Sequence, residues 1–331
     1  MLLTLFQCTK SEYSEFQLSW KLFKKAFLDN GRIVDTGNKK ISHSEGQGYG
    51  MLFAVSANDQ KSFDDIWHWT QQVLQRNDKL FSWQYTPCST QDRLCIQDQN
   101  NATDGDILIA WALFIAAEKW KNNEYEDHAL DVLATIKKKL IVKQFNHLLL
   151  LPGEYGFQPT KEATEVNLSY WVFPALNKFS QVTHDKVWGD LYISGISLLK
   201  TAQFSEWQLP PDWLIVSKEG LRINGAQSSD YGYNASRIPI YLMLAGDKTE
   251  KLISPFLNFW QQDNVPATIN LQTENIADYT YSSGMEAIAV ATKQLITKQK
   301  KQDIPAVKYE TDYYSASLIL LAQLSLLERE L

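Results

Sequence analysis

Apolar positions recur along nearly the whole chain at spacings of three and four, the period of a helix that buries one face. In SEYSEFQLSWKLFKKAFLDNG, Phe16, Trp20, Phe23 and Phe27 follow that spacing, and Gly31 stands where a glycine ends a helix. DQKSFDDIWHWTQQVLQR sets Phe63, Ile66, Trp67 and either Val73 or Leu74 on one face. The same period predicts helices at GDILIAWALFIAAEKW, YEDHALDVLATIKKKL, EVNLSYWVFPALNKF, DKVWGDLYISGISLLKTA, ASRIPIYLMLA, KTEKLISPFLNFWQQ, SSGMEAIAVATKQLITK and TDYYSASLILLAQLSLLERE. A further amphipathic helix is about to begin at HSEGQGYGM. Strand signals are confined to short pieces such as HLLLLPGEYGFQ and GLRING, which read as small hairpins on loops.

No linker rich in Pro, Gly or Ser divides this run of helices, so one all-α domain over residues 13–331 is expected, built as an α/α barrel of paired helices. A helical solenoid is the alternative, but no self-similarity at a fixed period supports it. The first twelve residues read separately. MLLTLFQC is apolar without a basic start, the remnant of a secretion signal or an anchor segment ending at Cys8.

Composition narrows the function. A net charge of -6 argues against nucleic acid or an anionic membrane as partner. The apolar fraction of 44% and charged fraction of 21% are those of an ordinary globular protein. The aromatic load is less ordinary: 11 Trp and 15 Tyr exceed what a core of this size needs, and such rings stack on sugar faces. Cys88 and Cys95 lie in a polar, loop-like segment with Pro87, and a short disulfide there would place the protein outside the cytoplasm.

Two acidic stretches carry candidate chemistry. In SEGQGYGM, three glycines, each costing close to 1 kcal/mol in a helix relative to Ala, surround Glu45. They belong where backbone approaches something closely. Glu45 then reads either as a helix-start carboxylate held by the dipole or as a catalytic acid. In NNATDGDILIAWAL, Asp104 and Asp106 flank a glycine at a helix start that Thr103 or Asp104 would cap. Calcium needs more oxygen ligands than these, no Cys/His spacing suits zinc, and no phosphate loop or GxSxG elbow occurs. Neither metal nor cofactor is expected.

SEGQGYGMLFAVSANDQKSFDDIWHWTQ, ATDGDILIAWAL, VNLSYW and YGYNASRIPIYL, in this order, resemble the family 8 glycoside hydrolases, and among them the endoglucanases of bacterial cellulose-synthesis operons. The resemblance implies an (α/α)6 barrel with a long open cleft, inversion at the anomeric carbon, and a β-1,4-linked glucan as substrate. Glu45 occupies the general acid's position and Asp104 that of the aspartate that holds the sugar at the cleavage point. Tyr49, Asp106 and Arg237 match residues lining the cleft, and Tyr281 matches a further cleft tyrosine. Trp83, Tyr170 and Trp171 are candidate stacking platforms, with core packing as the alternative for each.

One position departs from the pattern. The family's general base is an aspartate in Y-D-A-x-R, and here Asn234 stands in its place. An amide can position water but cannot take its proton. Either a nearby loop acid, Asp230, Glu274 or Asp278, supplies the base, or the chain is a catalytically impaired glucan-binding protein assisting exopolysaccharide synthesis or export. Mixed-linkage glucan, xylan and chitosan are the alternative substrates. The expected protein is a monomeric endo-β-1,4-glucanase, periplasmic or secreted, with lipid attachment at Cys8 as a variant of that location.

Overall fold

In the computed structural model, the described backbone covers residues 2–88, 95–223, 228–247, 249–297 and 303–327, with side chains described from Glu12 onward. The expected anchor segment and Cys8 therefore lie outside the described side chains. In chain order the first elements are α1 (Leu2–Phe27), β1 (Leu28–Asp29), β2 (Arg32–Ile33), β3 (Ser42–His43), α2 (Ser44–Ser56), α3 (Gln60–Trp69), β4 (Gln84–Tyr85), α4 (Thr103–Trp120) and α5 (Asn123–Lys139). There follow β5 (Ile141–Gln144), β6 (His147–Leu150), β7 (Ala163–Val166), α6 (Phe173–Thr183), α7 (Lys186–Thr201), β8 (Leu214–Ser217), β9 (Gly220–Arg222) and β10 (Asp230–Tyr231). The last are α8 (Ile238–Leu244), α9 (Glu250–Phe259), β11 (Ile269–Asn270), α10 (Ser283–Thr297) and α11 (Tyr313–Leu327).

These elements fall into two compact units, Met1–Thr135 with Gln302–Leu331, and Ile136–Lys301. In the first unit, α2, α4 and α11 are buried on every side, whereas α3 buries only Ser62, Phe63, Ile66 and Trp67. A helix apolar all round belongs inside, and an amphipathic one covers it. Hence α2 packs on α4, α3 and α11, with α1 laid over α11. Phe16, Trp20, Phe23 and Phe27, the stripe on α1, are all buried, and the rings of Trp20 and Phe23 lie 6.4 and 5.9 Å from Phe53 of α2. In the second unit α6 pairs with α7 and α8, and α10 with α8 and α9.

Four expectations about local structure change. Gly31 does not cap α1: Asn30 and Gly31, at φ 49° and 86°, form the two-residue turn between β1 and β2, which suits the right-handed twist of a hairpin. The helix at HSEGQGYGM is not amphipathic, since nearly all of α2 is buried. EVNLSYWVFPALNKF is not one helix. Pro174 sits in the first turn of α6, where its missing N–H costs nothing. Upstream of it the chain runs as β7 and one 3-10 turn, Leu168–Tyr170. The fourth concerns α4, which begins after Ala102 with no side-chain cap, so neither Thr103 nor Asp104 serves as its N-cap. The hairpins expected from HLLLL and GLRING are present as β5 with β6 and β8 with β9, the latter sheet extended by β7.

Gln47 of SEGQGYGM explains how α2 is held. Its buried amide oxygen accepts the Ile33 N–H at 2.6 Å, and its amide nitrogen donates to the Gly31 carbonyl at 3.1 Å and the Thr70 hydroxyl at 2.7 Å. One side chain thus ties α2 to the hairpin and to the end of α3. Gln47→Leu takes this partner from the buried Ile33 N–H and Gly31 carbonyl, each at about 1–3 kcal/mol, while the Thr70 hydroxyl keeps its bond to the Ile66 carbonyl. A thermal melt should show a drop of roughly 5 °C or more, taking 2–4 °C per kcal/mol for a chain near this size; an unchanged melting temperature would refute the clamp.

Candidate active site

The first unit builds a site around Glu45. His43 is extended in β3, paired with Gln84 of β4, and the next residue, Ser44, donates its N–H to the Trp83 carbonyl at 3.0 Å. The chain turns helical at that point. The His43 ring caps the new helix, its Nδ1 accepting the Gly46 N–H at 3.0 Å. Glu45 itself sits in the first turn, where a carboxylate gains from the exposed N–H groups and the dipole. The cap and the acid are therefore different residues.

The glycines lie inside α2 rather than in a turn before it, and their backbone conformation is unremarkable; what they supply is proximity. A Cβ on Gly48 would fall 2.6 Å from Leu108 Cβ of α4, and one on Gly46 would fall 2.5 Å from the Tyr313 hydroxyl of α11. From the other side, a Cβ on Gly105 would lie 2.1 Å from Ser44 Oγ and 2.7 Å from the Glu45 nitrogen. The two helix starts bearing Glu45 and Asp104 are pressed together through absent side chains.

The Glu45 side chain keeps 23% of its surface exposed, and its Oε2 lies 3.9 Å from His43 Nδ1. Because Nδ1 accepts the Gly46 N–H, the neutral imidazole carries its proton on Nε2, which faces Asp35 Oδ2 at 3.9 Å. Burial raises the Asp35 carboxyl above the usual carboxylate range, and the charge of Asp312 adds to this. Tyr313 stands edge-on to His43 at 5.5 Å. Neither His43 nor Tyr313 is foreseen by motif, and His is not a residue that N-caps favour.

Asp104 and Asp106 part company. Asp104 is buried at the start of α4, accepts the Gly105 N–H at 2.8 Å, and is driven up to about 7 by burial. Asp106 is turned into the protein, where it accepts the Phe81 N–H at 2.9 Å and the Asn101 amide at 2.7 Å. Burial lifts it to about 8. Its place is structural, holding the strand segment before Trp83, and it is not a cleft-lining residue. Tyr49 is 3% exposed, with its ring stacked on Phe53.

The second unit builds the other group. Arg237 is buried and donates through Nη2 to Asn234 Oδ1 at 2.9 Å and to Ser169 Oγ at 3.3 Å, which draws the LSYW and YNASR motifs together. Beneath them lies Asp212, which sequence reasoning missed. It is buried, and one carboxylate oxygen accepts the backbone N–H groups of Gly232 at 3.1 Å, Asn234 at 3.2 Å and Ala235 at 2.7 Å. Burial raises it to about 6 against the pull of these bonds and of the Asn234 side chain. The only signal in sequence was an acid after two prolines, PPDW, leading into a hairpin.

The aromatic candidates divide similarly. Trp171 is fully buried, donates to the Leu191 carbonyl at 3.1 Å, and is core rather than a stacking platform. Trp83 and Tyr170 are half-buried; Trp83 donates to Asp98 at 2.7 Å, and Tyr170 lies 6.3 Å from Trp213, itself stacked flat on Phe157 at 5.4 Å. Tyr281 is half-buried, its hydroxyl held protonated by burial and by Glu286. Of the loop acids, Asp230 accepts the Asn270 amide at 2.7 Å, Glu274 faces the Glu206 N–H at 3.5 Å, and Asp278 is exposed. The loop of Asp278 is tied to the Asn234 turn by neighbouring tyrosines, whose hydroxyls, Tyr233 and Tyr279, meet at 3.0 Å.

Cys88 and Cys95 form the expected disulfide. Among the described residues no group of three His, Cys, Asp or Glu is placed to hold a metal, and no helix is long and apolar enough to cross a membrane.

Comparison with known proteins joins these groups to one lineage. The model of "Glycosyl hydrolases family 8" matches residues 1–327. A "Probable endoglucanase" from Novacetimonas hansenii is 36% identical over 92% of this chain and 89% of its own. An endoglucanase from Cellulomonas uda is 34% identical over 82% of this chain and 76% of its own. The crystal structure of an endo-β-1,4-glucanase from Acetobacter xylinum superposes with a TM-score of 0.89 at 35% identity, covering 96% of this chain and all of that one (100%). With these similarities the expected all-α class, (α/α)6 with small hairpins on its loops, is the class of this chain. It is a member of glycoside hydrolase family 8.

Proposed function

We propose that the chain is an endo-β-1,4-glucanase that cleaves internal bonds of a β-glucan with inversion, with Glu45 as general acid. The observation that carries this is Glu45 in the first turn of a buried helix, part-exposed, with the Asp104-bearing start of α4 packed against that turn at Gly105. Inversion requires an acid to protonate the leaving oxygen and a separate carboxylate to take a proton from water. Glu45 is placed to give the first proton. Asp104, at about 7, carries a proton over part of the neutral range and can donate to or accept from a sugar hydroxyl. Water is oriented by the Asn234 amide, whose Oδ1 Arg237 holds in place. Asp278 takes the water's proton, because the Tyr233–Tyr279 pair anchors its loop to the Asn234 turn.

The disulfide supports a periplasmic or secreted location, where such bonds persist. A second reading, a glucan-binding protein with impaired turnover, is favoured by Asn234 alone. Reducing-sugar release separates the two. Carboxymethyl cellulose should be cut fastest, with mixed-linkage glucan, xylan and chitosan slower, and its viscosity should fall before much sugar appears. A chain inert on all four polymers would leave only the binding reading.

A further inference from the structure

The turn 232–235 carries Asn234, yet nothing within the turn holds that amide in one orientation. Two outside groups do. Arg237 can only donate and reaches Oδ1 at 2.9 Å; the Asp212 carboxylate can only accept, takes the Asn234 N–H at 3.2 Å and lies against the Asn234 side chain. An amide between a guanidinium and a carboxylate fits one way round, oxygen to the cation and nitrogen to the anion. Asp212 also gathers three backbone N–H groups of the turn, and its own N–H donates to the Asp230 carbonyl at 2.7 Å, fixing it to β10. The prolines before it, Pro210 and Pro211, restrict the backbone that delivers it.

We propose that Asp212 is a positioning residue of the hydrolytic site, holding the Asn234 turn and setting which end of the Asn234 amide faces Arg237, and through it the place of the attacking water. This rests on the hydrolase reading above. Asp212 does not touch substrate. Buried and with one oxygen committed to three N–H groups, it acts through the turn that carries Asn234.

The turn-building role and the amide-orienting role separate in Asp212→Asn. The new amide oxygen still accepts the three backbone N–H groups, but its nitrogen now meets the Asn234 nitrogen, donor against donor. Exchanging the pair, Asp212→Asn with Asn234→Asp, restores complementarity, because a carboxylate at 234 accepts from both Arg237 and the amide at 212. On carboxymethyl cellulose, Asp212→Asn should lower kcat tenfold or more with KM within twofold and the melting temperature within a few degrees. The exchanged pair should recover kcat to within threefold of the natural chain. Undiminished kcat in Asp212→Asn overturns the proposal, as does a joint loss of kcat and melting temperature that the exchange fails to recover. A natural chain without turnover on any polymer overturns the hydrolase reading and this with it; natural turnover with an unaffected Asp212→Asn overturns this alone.

Discussion

Glu45→Gln is expected to fold, bind cello-oligosaccharides as the natural chain does, and lose about 10²–10⁴-fold in kcat. The amide keeps the size of the carboxyl and its place in the first turn of α2, so the His43 cap and the α2–α4 contact remain. What it cannot do is give a proton to the leaving oxygen. A substrate with a good leaving group, such as an aryl cellobioside, needs that proton less, and its rate should fall far less than that on cellulose. Calorimetric binding together with kcat on both substrates tests the assignment. Full activity on carboxymethyl cellulose would remove Glu45 from the reaction, and lost binding would make its role structural.

Asn234→Asp is expected to make stability depend on pH, and the sign of that dependence comes from Asp212. The substitution sets a second carboxylate against one that burial has already raised to about 6. Two touching carboxyls do not both ionise readily, so the pair retains a shared proton above that value. In the unfolded chain both titrate near 3.9. A folded-state pKa raised above the unfolded one gives stability that is complete below the unfolded value and is lost as pH rises through the folded one. Each unit of that difference is about 1.4 kcal/mol. The variant's melting temperature should therefore fall between pH 5 and pH 8 by several degrees more than the natural chain's. A parallel pH dependence would show that the two side chains do not meet. Turnover should change by less than about tenfold at pH 7, given Asp278 as the acceptor, and should climb on the alkaline side as the pair ionises. A gain of about 100-fold, the scale of an absent general base, would instead mean that the natural chain works without one.

The pairing of Asp212 with Asn234 also shows where sequence reasoning stops. From the motif alone, Asn234 is a missing carboxylate and the search for a substitute runs along the nearest loops, to Asp230, Glu274 and Asp278. Asp230 and Glu274 turn out to be engaged locally, with Asn270 and Glu206. The acid that touches Asn234 comes from 22 residues upstream, brought in by the path from PPDW to β10. Its spacing carries no periodic signal, because both residues lie in loops, which follow no repeat.

The helices were legible because helix formation on a core repeats every 3.6 residues, and the stripe Phe16, Trp20, Phe23 and Phe27 records the face that must be buried. Glu45 was legible for a different reason. Glycines inside a helix are costly, so SEGQGYGM marks a close approach before the neighbour is known. Side-chain direction was not legible. Asp104 and Asp106 differ by two positions on one helix start, yet one accepts the neighbouring Gly105 N–H and the other clamps Phe81 and Asn101. Trp171 and Tyr170 are adjacent, yet only Tyr170 is partly exposed. By itself, then, the sequence determined the helical class and the family, since each is written in local pattern or motif, and it offered Glu45 as the candidate acid. Tertiary structure alone decided which candidate carboxylates stay part-exposed and which are buried, because that depends on contacts between residues far apart in the chain.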